Sequence, residues 1–146
     1  MAQDEIANLI ERDAQRLVGV WVEVVRRDET ILSDADLSEG GLIDHIPHLI
    51  EEVCAVLRSG ETPAVENTHE ARVHAYTRFR QGYRARDLIR ETSHLRLILS
   101  DHVAAGLDAW NGHADTRRRI EAIRVINQYI DEELRYAVSI YTESKE

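Results

Sequence analysis

The side chains of this sequence that could carry chemistry are histidines, glutamates and arginines concentrated in the middle of the chain. Glu-x-x-His occurs twice, as Glu66–His69 and Glu91–His94. In di-iron carboxylate bundles, such motifs supply a carboxylate and an imidazole from one face of a helix. If Gly82 is the turn of a helical hairpin, however, the two motifs sit roughly 10 Å apart along the helix axis. A di-iron enzyme is therefore kept only as an alternative function.

A second group of residues could line a pocket or supply an axial haem ligand. His94, Ile98 and His102 recur at four-residue steps and so share one line of a helix. Residues from the preceding segment complete the candidate pocket: His74, Tyr76, Phe79, His94, Ile98 and His102. Phe79 is the single phenylalanine of the chain, so a cluster of aromatics around a haem is lacking. We predict no cofactor and no metal, and a haem- or small-ligand-binding module is a second alternative.

Arginines crowd the same segment of an otherwise acidic chain. Arginine binds carboxylates and phosphates through two parallel hydrogen bonds, which suggests a site for an acidic partner surface or a small anion. The candidates are Arg78, Arg80, Arg86, Arg90 and Arg96. Ion pairs with Glu70, Asp87 and Glu91 at helical spacing explain the same arginines without a ligand, so both interpretations stay open.

Composition excludes several classes of function. The 146 residues carry a formal net charge of −9 and a single cysteine. An acidic chain is a poor partner for nucleic acid or for an anionic membrane, both of which favour a basic surface. No phosphate-binding loop, nucleophile elbow or kinase motif occurs. We predict a single cytoplasmic domain over residues 1–146 that is not itself an enzyme, although it could be the sensor part of a kinase.

The apolar residues recur at helical spacing throughout, which predicts an all-α fold. The predicted helices span residues 4–27, 44–60, 62–82, 85–110 and 115–142. Asp44 is a predicted N-cap of the second helix. Thr62 and Pro63 are a predicted N-cap and first turn of the third. The architecture is a bundle of about five main helices with a long last helix, and periodicity alone does not distinguish globin-like packing from other bundles.

The last predicted helix has a heptad pattern. Steps of four and three residues join Thr116, Ile120, Ile123, Asn127, Ile130, Leu134, Ala137 and Tyr141. A single Asn in such a seam fixes register and strand number. One interpretation is packing within the chain's own bundle. The other is a dimer helix, with Ile120, Ile123, Asn127, Ile130, Leu134 and Tyr141 at the interface, that links to an output domain absent from these residues.

Several short motifs of this sequence together resemble the N-terminal sensor domain of RsbR-type stressosome co-antagonists, a domain also found ahead of bacterial sensor histidine kinases. They are the His74 and Arg78 pair, Gly82–Tyr83, the run from Asp87 to Glu91, and Leu95–Arg96. Further matches lie upstream, at Trp21, in the motif Asp44-His45-Ile46-Pro47 and at Leu49–Ile50. The resemblance covers about residues 5–140, and its motifs are loose individually but occur in the expected order.

The resemblance implies a globin-like domain without haem that is dimeric and senses a signal. Its last helix would join an output domain, either a histidine kinase or a domain of the anti-anti-sigma type. The expected function is therefore a non-catalytic, homodimeric input domain that regulates this output. Neither a ligand nor the nature of the signal follows from the resemblance.

Overall fold

The computed structural model describes residues 3–106 and 113–143, and within these residues every regular element is helical. The α-helices are α1 (Asp4–Arg12), α2 (Ala14–Arg27), α3 (Glu39–Ile43), α4 (Ile46–Ser59), α5 (His69–Arg80), α6 (Ala85–Gly106) and α7 (His113–Glu143). The all-α prediction with a long last helix is confirmed. The predicted end of the fourth helix, at residues 107–112, lies outside the described residues. None of the described helices is both long and apolar enough to cross a membrane.

The predicted single helix over residues 4–27 is wrong, because it is two helices that meet at Asp13. The Asp13 N–H donates to the Ile10 carbonyl, 3.2 Å away, which tightens the last turn of α1. The Asp13 carboxylate binds Arg12 at 3.0 Å and His102 of α6 at 3.0 Å. The bend lets α1 pack on α4 while α2 packs on α6. Both halves bury apolar residues, which is why the periodicity did not reveal the break.

Asp44 does not cap the second predicted helix. It ends the short helix α3 with a positive φ of 37°, and its carboxylate lies 2.8 Å from His45 Nδ1. The longer helix α4 begins two residues later, at Ile46, with Pro47 in its first turn. Gly60 ends α4 in the left-handed region at φ 75°, as the sequence predicted.

Helix α5 begins at His69, later than predicted, and its cap comes from another helix. Residues Val65–Asn67 form a 3-10 turn instead. The Glu52 carboxylate of α4 accepts the N–H groups of Glu70 at 2.9 Å and Ala71 at 3.3 Å. Tyr129 of α7 donates its hydroxyl to the same carboxylate at 2.6 Å. The N–H groups at the start of α5 are therefore capped by a side chain of another helix, and not by Thr62, which the sequence predicted as the N-cap.

Val65, His69, Val73, Tyr76 and Phe79 recur at three- and four-residue steps, which predicts that they share the buried face of the third helix. This prediction is wrong for Val65 and Tyr76, which are 62% and 46% exposed. The face that packs inward consists of Ala71, His74, Ala75 and Arg78. Two alanines and two charged residues give almost no apolar signal, so the aromatic residues on the other side dominated the prediction.

The apolar core has two parts. The larger unites residues of α1, α2, α4, α6 and α7 around Trp21, and the smaller contains Ala75, Tyr83, Leu88 and Ala137. On α6, Glu91 falls between Leu95 of the larger part and Leu88 of the smaller. On α7, Glu133 falls between Ile130 and Ala137 in the same way. Charged residues are thus buried where the two parts of the core meet.

The heptad seam of α7 divides between core and surface. Ile130 and Ala137 are buried within the chain's own core, whereas Ile120 is 59% exposed. Asn127, Leu134 and Tyr141 are half-buried. One line of the heptad therefore packs inside the bundle and the other lies along its outer side. Ile130 has no exposed surface to offer a dimer partner.

The cap supplied by Glu52 gives a test of the fold. We expect Glu52→Ala to lower the free energy of unfolding by about 1–2 kcal/mol, because it removes the cap and leaves the buried Tyr129 hydroxyl without its acceptor. Glu51→Ala is the matched control, since Glu51 is exposed and lies 3.8 Å from His48. Its effect should stay within about 0.5 kcal/mol. Urea denaturation of both variants measures the difference, and equal stabilities would contradict the proposed cap.

Candidate functional site

The structure gives the predicted pocket residues different surroundings instead of one shared pocket. His94 Nε2 lies 2.7 Å from Asp28, at the end of α2. His102 Nε2 lies 3.0 Å from Asp13, at the start of α2. Ile98, between these histidines in the sequence, is half-buried. The two histidines thus hold α6 against α2 at separate points.

The remaining three pocket residues lie on α5, where His74 is turned away from the neighbouring rings of Tyr76 and Phe79. Tyr76 is exposed, and Phe79 packs edge-on against Tyr141 with ring centroids 5.1 Å apart. His74 is completely buried, with one ring nitrogen near each of two glutamates. An imidazole held in this way cannot ligate haem iron without giving up a carboxylate. Across residues 3–106 and 113–143, no three His, Cys, Asp or Glu side chains are grouped to hold a metal ion.

One of the five arginines predicted to bind an acidic partner or a small anion is not at the surface. Arg78 is fully buried, which removes it from any site for an acidic partner. Arg90 binds Asp28 at 2.7 Å, and Arg96 lies 3.6 Å from Asp131. Arg80 and Arg86 are exposed. The pairing interpretation accounts for Arg90 and Arg96, although the acids they contact are not those the sequence suggested.

Four buried charged side chains form the most distinctive site in the described residues. We call them the buried quartet: His74 and Arg78 of α5, Glu91 of α6 and Glu133 of α7. Each is at most 1% exposed. Charged residues are almost never buried to this extent unless they are paired, and here all four lie within one ion-pair network.

Arg78 is the most connected member of the quartet. Its Nε donates to Glu91 Oε1 at 2.6 Å, and its Nη1 donates to the Gly41 carbonyl at 3.1 Å. Nη2 donates to the Leu42 carbonyl in a short hydrogen bond. The guanidinium lies over the Tyr83 ring, 4.8 Å from its centroid. One side chain thereby joins α5 to α6 and satisfies carbonyl groups of the short helix α3.

His74 connects the same network to α7. Its Nδ1 lies 2.5 Å from Glu133 Oε2 and its Nε2 lies 3.4 Å from Glu91 Oε1. Burial alone would lower the pKa of His74, but the charge and hydrogen bond of Glu133 and the hydrogen bond to Glu91 raise it to about 9. His74 is therefore a cation at neutral pH.

With both carboxylates ionised, the quartet is electrically neutral when His74 is protonated. Two cations, His74 and Arg78, then balance Glu91 and Glu133. Burial would raise the pKa of Glu91, but its hydrogen bond to His74 and the charge of Arg78 hold it below the usual range. Because an uncompensated buried charge is costly, a change of one charge would destabilise the contact among α5, α6 and α7.

Aromatic side chains enclose the quartet. The Trp21 Nε1–H donates to the Glu91 carbonyl at 3.0 Å. Tyr141 of α7 donates its hydroxyl to the Tyr83 carbonyl at 2.8 Å. Burial, followed by the charge of Glu91, raises the pKa of Tyr83 well above its ordinary value. The arrangement excludes solvent, so the quartet is suited to holding charge inside the fold.

Sequence reasoning missed Glu133 and did not recognise Glu91 as a buried residue. Glu91 was predicted as an ion-pair partner of the arginines at helical spacing and as part of a Glu-x-x-His pair, but its partner Arg78 lies on another helix and His94 points to Asp28. A signal was present: Glu91 lies between Leu88 and Leu95 at core spacing, and Glu133 lies between Ile130 and Ala137. A charged residue at a core position is more informative than the motif that contains it.

Replacing Arg78 should be far more costly than replacing an arginine on the same helix. We expect Arg78→Gln to reduce the free energy of unfolding by about 3–5 kcal/mol, because Glu91 would remain buried without its partner. Arg80→Gln, at an exposed position two residues away, should change it by no more than about 0.5 kcal/mol. Chemical denaturation measures both, and a mild effect at Arg78 would contradict the inferred ion pair.

The raised pKa of His74 predicts a pH dependence with a defined sign. Below about pH 6.5, the pKa of an unfolded histidine, its proton gives the full stabilisation. This stabilisation is lost as the pH rises through about 9. Unfolding measured between pH 6.5 and 9.5 should show falling stability in the wild type and a much flatter profile in His74→Gln. His48→Gln, at an exposed position, should keep the wild-type slope, and a flat wild-type profile would refute the assignment.

Comparison with known proteins places this fold in a family. No curated protein and no solved structure matches the chain, so the globin-like detail of the fold stays a prediction. The family described as the RsbT co-antagonist protein rsbRD N-terminal domain matches residues 15–146. The match covers all four members of the quartet and every helix from α3 to α7. This chain therefore belongs to the RsbT co-antagonist protein rsbRD N-terminal domain family.

Proposed function

We propose that this chain is a non-catalytic, cytoplasmic input domain that works as a homodimer and regulates a downstream signalling output. Family membership supports a sensory role of the stressosome type. The buried quartet supports a role without catalysis, since its charged groups are sealed from any substrate. The output would be a histidine kinase or a domain of the anti-anti-sigma type joined to the end of α7.

Exposed apolar side chains on α6 and α7, which we propose form one face, are the observation that carries the dimer. Ile89 and Leu97 of α6 are 42% and 57% exposed, and Ile120 and Val138 of α7 are 59% and 58% exposed. These four are half of the large apolar side chains exposed in the described part of the chain. Exposed apolar residues on neighbouring helices favour an interface.

Helix α7 presents its exposed residues in a repeating arrangement. One shallow hollow is lined by Thr116, Arg117, Ile120, Glu121 and Arg124. A second is lined by Asp131, Leu134, Arg135, Val138 and Ser139. The second repeats the register of the first two heptads later, about 21 Å along the helix. Hollows at heptad spacing are what a partner helix fills in knobs-into-holes packing, so the proposed occupant is α7 of a second copy.

This face revises the composition of the dimer seam. Ile120, Asn127 and Leu134 belong to the outer line of the heptad, whereas Ile130 belongs to the core. Val138 joins the outer line, although the heptad pattern did not include it. A displacement of α7 relative to its mate would carry the signal, as small helix shifts do at other subunit interfaces.

Substitutions on the outer line test the dimer. We expect Ile120→Asp combined with Val138→Asp to convert a dimer into a monomer, because each places a charge within the apolar face. Val65→Asp is the control, since Val65 is equally exposed at 62% but lies before α5, away from this face. Sedimentation equilibrium measures the mass of each. A wild-type monomer would refute the dimer, and a dimeric double variant would place the interface elsewhere.

A further inference from the structure

We propose that the buried quartet is a latch that holds α7 in one position and releases it when the charge balance of the quartet is lost. This inference rests on the proposed role of α7 as the helix that carries the signal. It assigns a resting state to that helix and names the contact that maintains it.

Among the described residues, polar contacts tie the side of α7 that faces α4 and α5 to the bundle. Tyr129 donates to Glu52, Glu133 pairs with His74, and Tyr141 donates to the Tyr83 carbonyl. The Glu133 pair is the middle tie and the one that joins two buried side chains of opposite charge. It lies between the two parts of the apolar core, so its loss affects the packing on both sides.

The latch is sensitive because its network is incompletely satisfied. Glu133 Oε1 is buried and accepts no hydrogen bond from the described protein. Such buried acceptors are rare in folded proteins and expensive to maintain. Glu133 therefore depends on its contact with His74, and the loss of the charge on His74 has no local compensation.

Within residues 3–106 and 113–143, the other charged groups near the quartet have partners of their own. On α6, Asp87 is engaged by Arg84 at 2.9 Å and by the Ser33 hydroxyl. Asp34 is held by Arg26 at 3.5 Å. Tyr83 and Tyr141 face the quartet as neutral phenols, since burial raises the pKa of each. Deprotonation of His74, or protonation of Glu133 or Glu91, thus leaves a net buried charge beside α7.

The latch and the proposed dimer face lie on neighbouring residues of α7. Glu133 points into the bundle, while Leu134 lines the hollow on the outer side. A rotation or shift of α7 that separates Glu133 from His74 therefore also moves Leu134 and Val138. The state of a buried charge pair can in this way reach a surface that contacts a second copy.

A charge-reversion cycle tests the latch. His74→Gln leaves a net negative quartet, Glu133→Gln leaves a net positive one, and the double variant is neutral again. Hydrogen exchange of the full chain, read on peptides from residues 129–141, should be between about tenfold and about a hundredfold faster in each single variant. In the double variant it should return to within about threefold of wild type. Arg58→Gln breaks an exposed pair with Glu11 and should leave α7 exchange unchanged.

Two results would overturn the latch. One is a double variant that exchanges as fast as the faster single variant, because charge balance would then be irrelevant. The other is equal acceleration in α1 and α4, which would show global loosening. If His74→Gln does not fold, the exchange rates of the wild type can be compared at pH 7 and pH 9.5 after correction for intrinsic exchange. Faster exchange at pH 9.5 in α7 alone supports the latch, and equal acceleration in α1 and α4 overturns it. Sedimentation of the same samples measures the dimer separately. If the wild type is a monomer and the double variant recovers slow exchange, the dimer is refuted and the latch is still supported.

Discussion

The ion pair between Arg78 and Glu91 is the interaction on which the rest of the structure depends. Its 2.6 Å contact joins α5 to α6, and the same guanidinium satisfies carbonyl groups of α3. Helix α3 has five residues, too few to be stable alone. The position of α3, and with it the start of α4, follows from where Arg78 is fixed. His74, one turn before Arg78, then receives Glu91 and Glu133 on its two sides.

A buried charge network is not the most stable way to fill this space. Well-packed apolar side chains of similar volume are often neutral or stabilising in comparison. We infer that its advantage is specificity, with α5, α6 and α7 meeting correctly when the four charges are matched. The inner face of α5 offers two alanines besides His74 and Arg78, so apolar packing there gives little preference for one helix register. The ion pairs supply that preference, and they make it depend on protonation.

The sequence predicted the helices better than it predicted their faces. Gly60 and Gly82 were predicted as the ends of helices, and both have the positive φ angles that glycine adopts readily. The start of α5 could not be predicted, since its cap is Glu52, brought there by the packing of α4. The quartet was missed for a related reason: Glu91 and Glu133 are ordinary surface residue types, and only the tertiary fold shows that they meet His74. Motif spacing directed attention to His94 and His102, whose contacts with Asp28 and Asp13 attach α6 to α2.

The heptad of α7 shows how one pattern can carry two structural roles. Its inner line, with Ile130 and Ala137, completes the core of the single chain, while Ile120 and Leu134 stand on the outer line. A straight α-helix has 3.6 residues per turn, so a seven-residue seam turns slowly around it and cannot face one partner throughout. The long last helix therefore packs against its own bundle on one side and remains available on the other. A helix placed in this way transmits force only if its inner contacts are specific enough to define a position, and the pairing of Glu133 with His74 provides that definition.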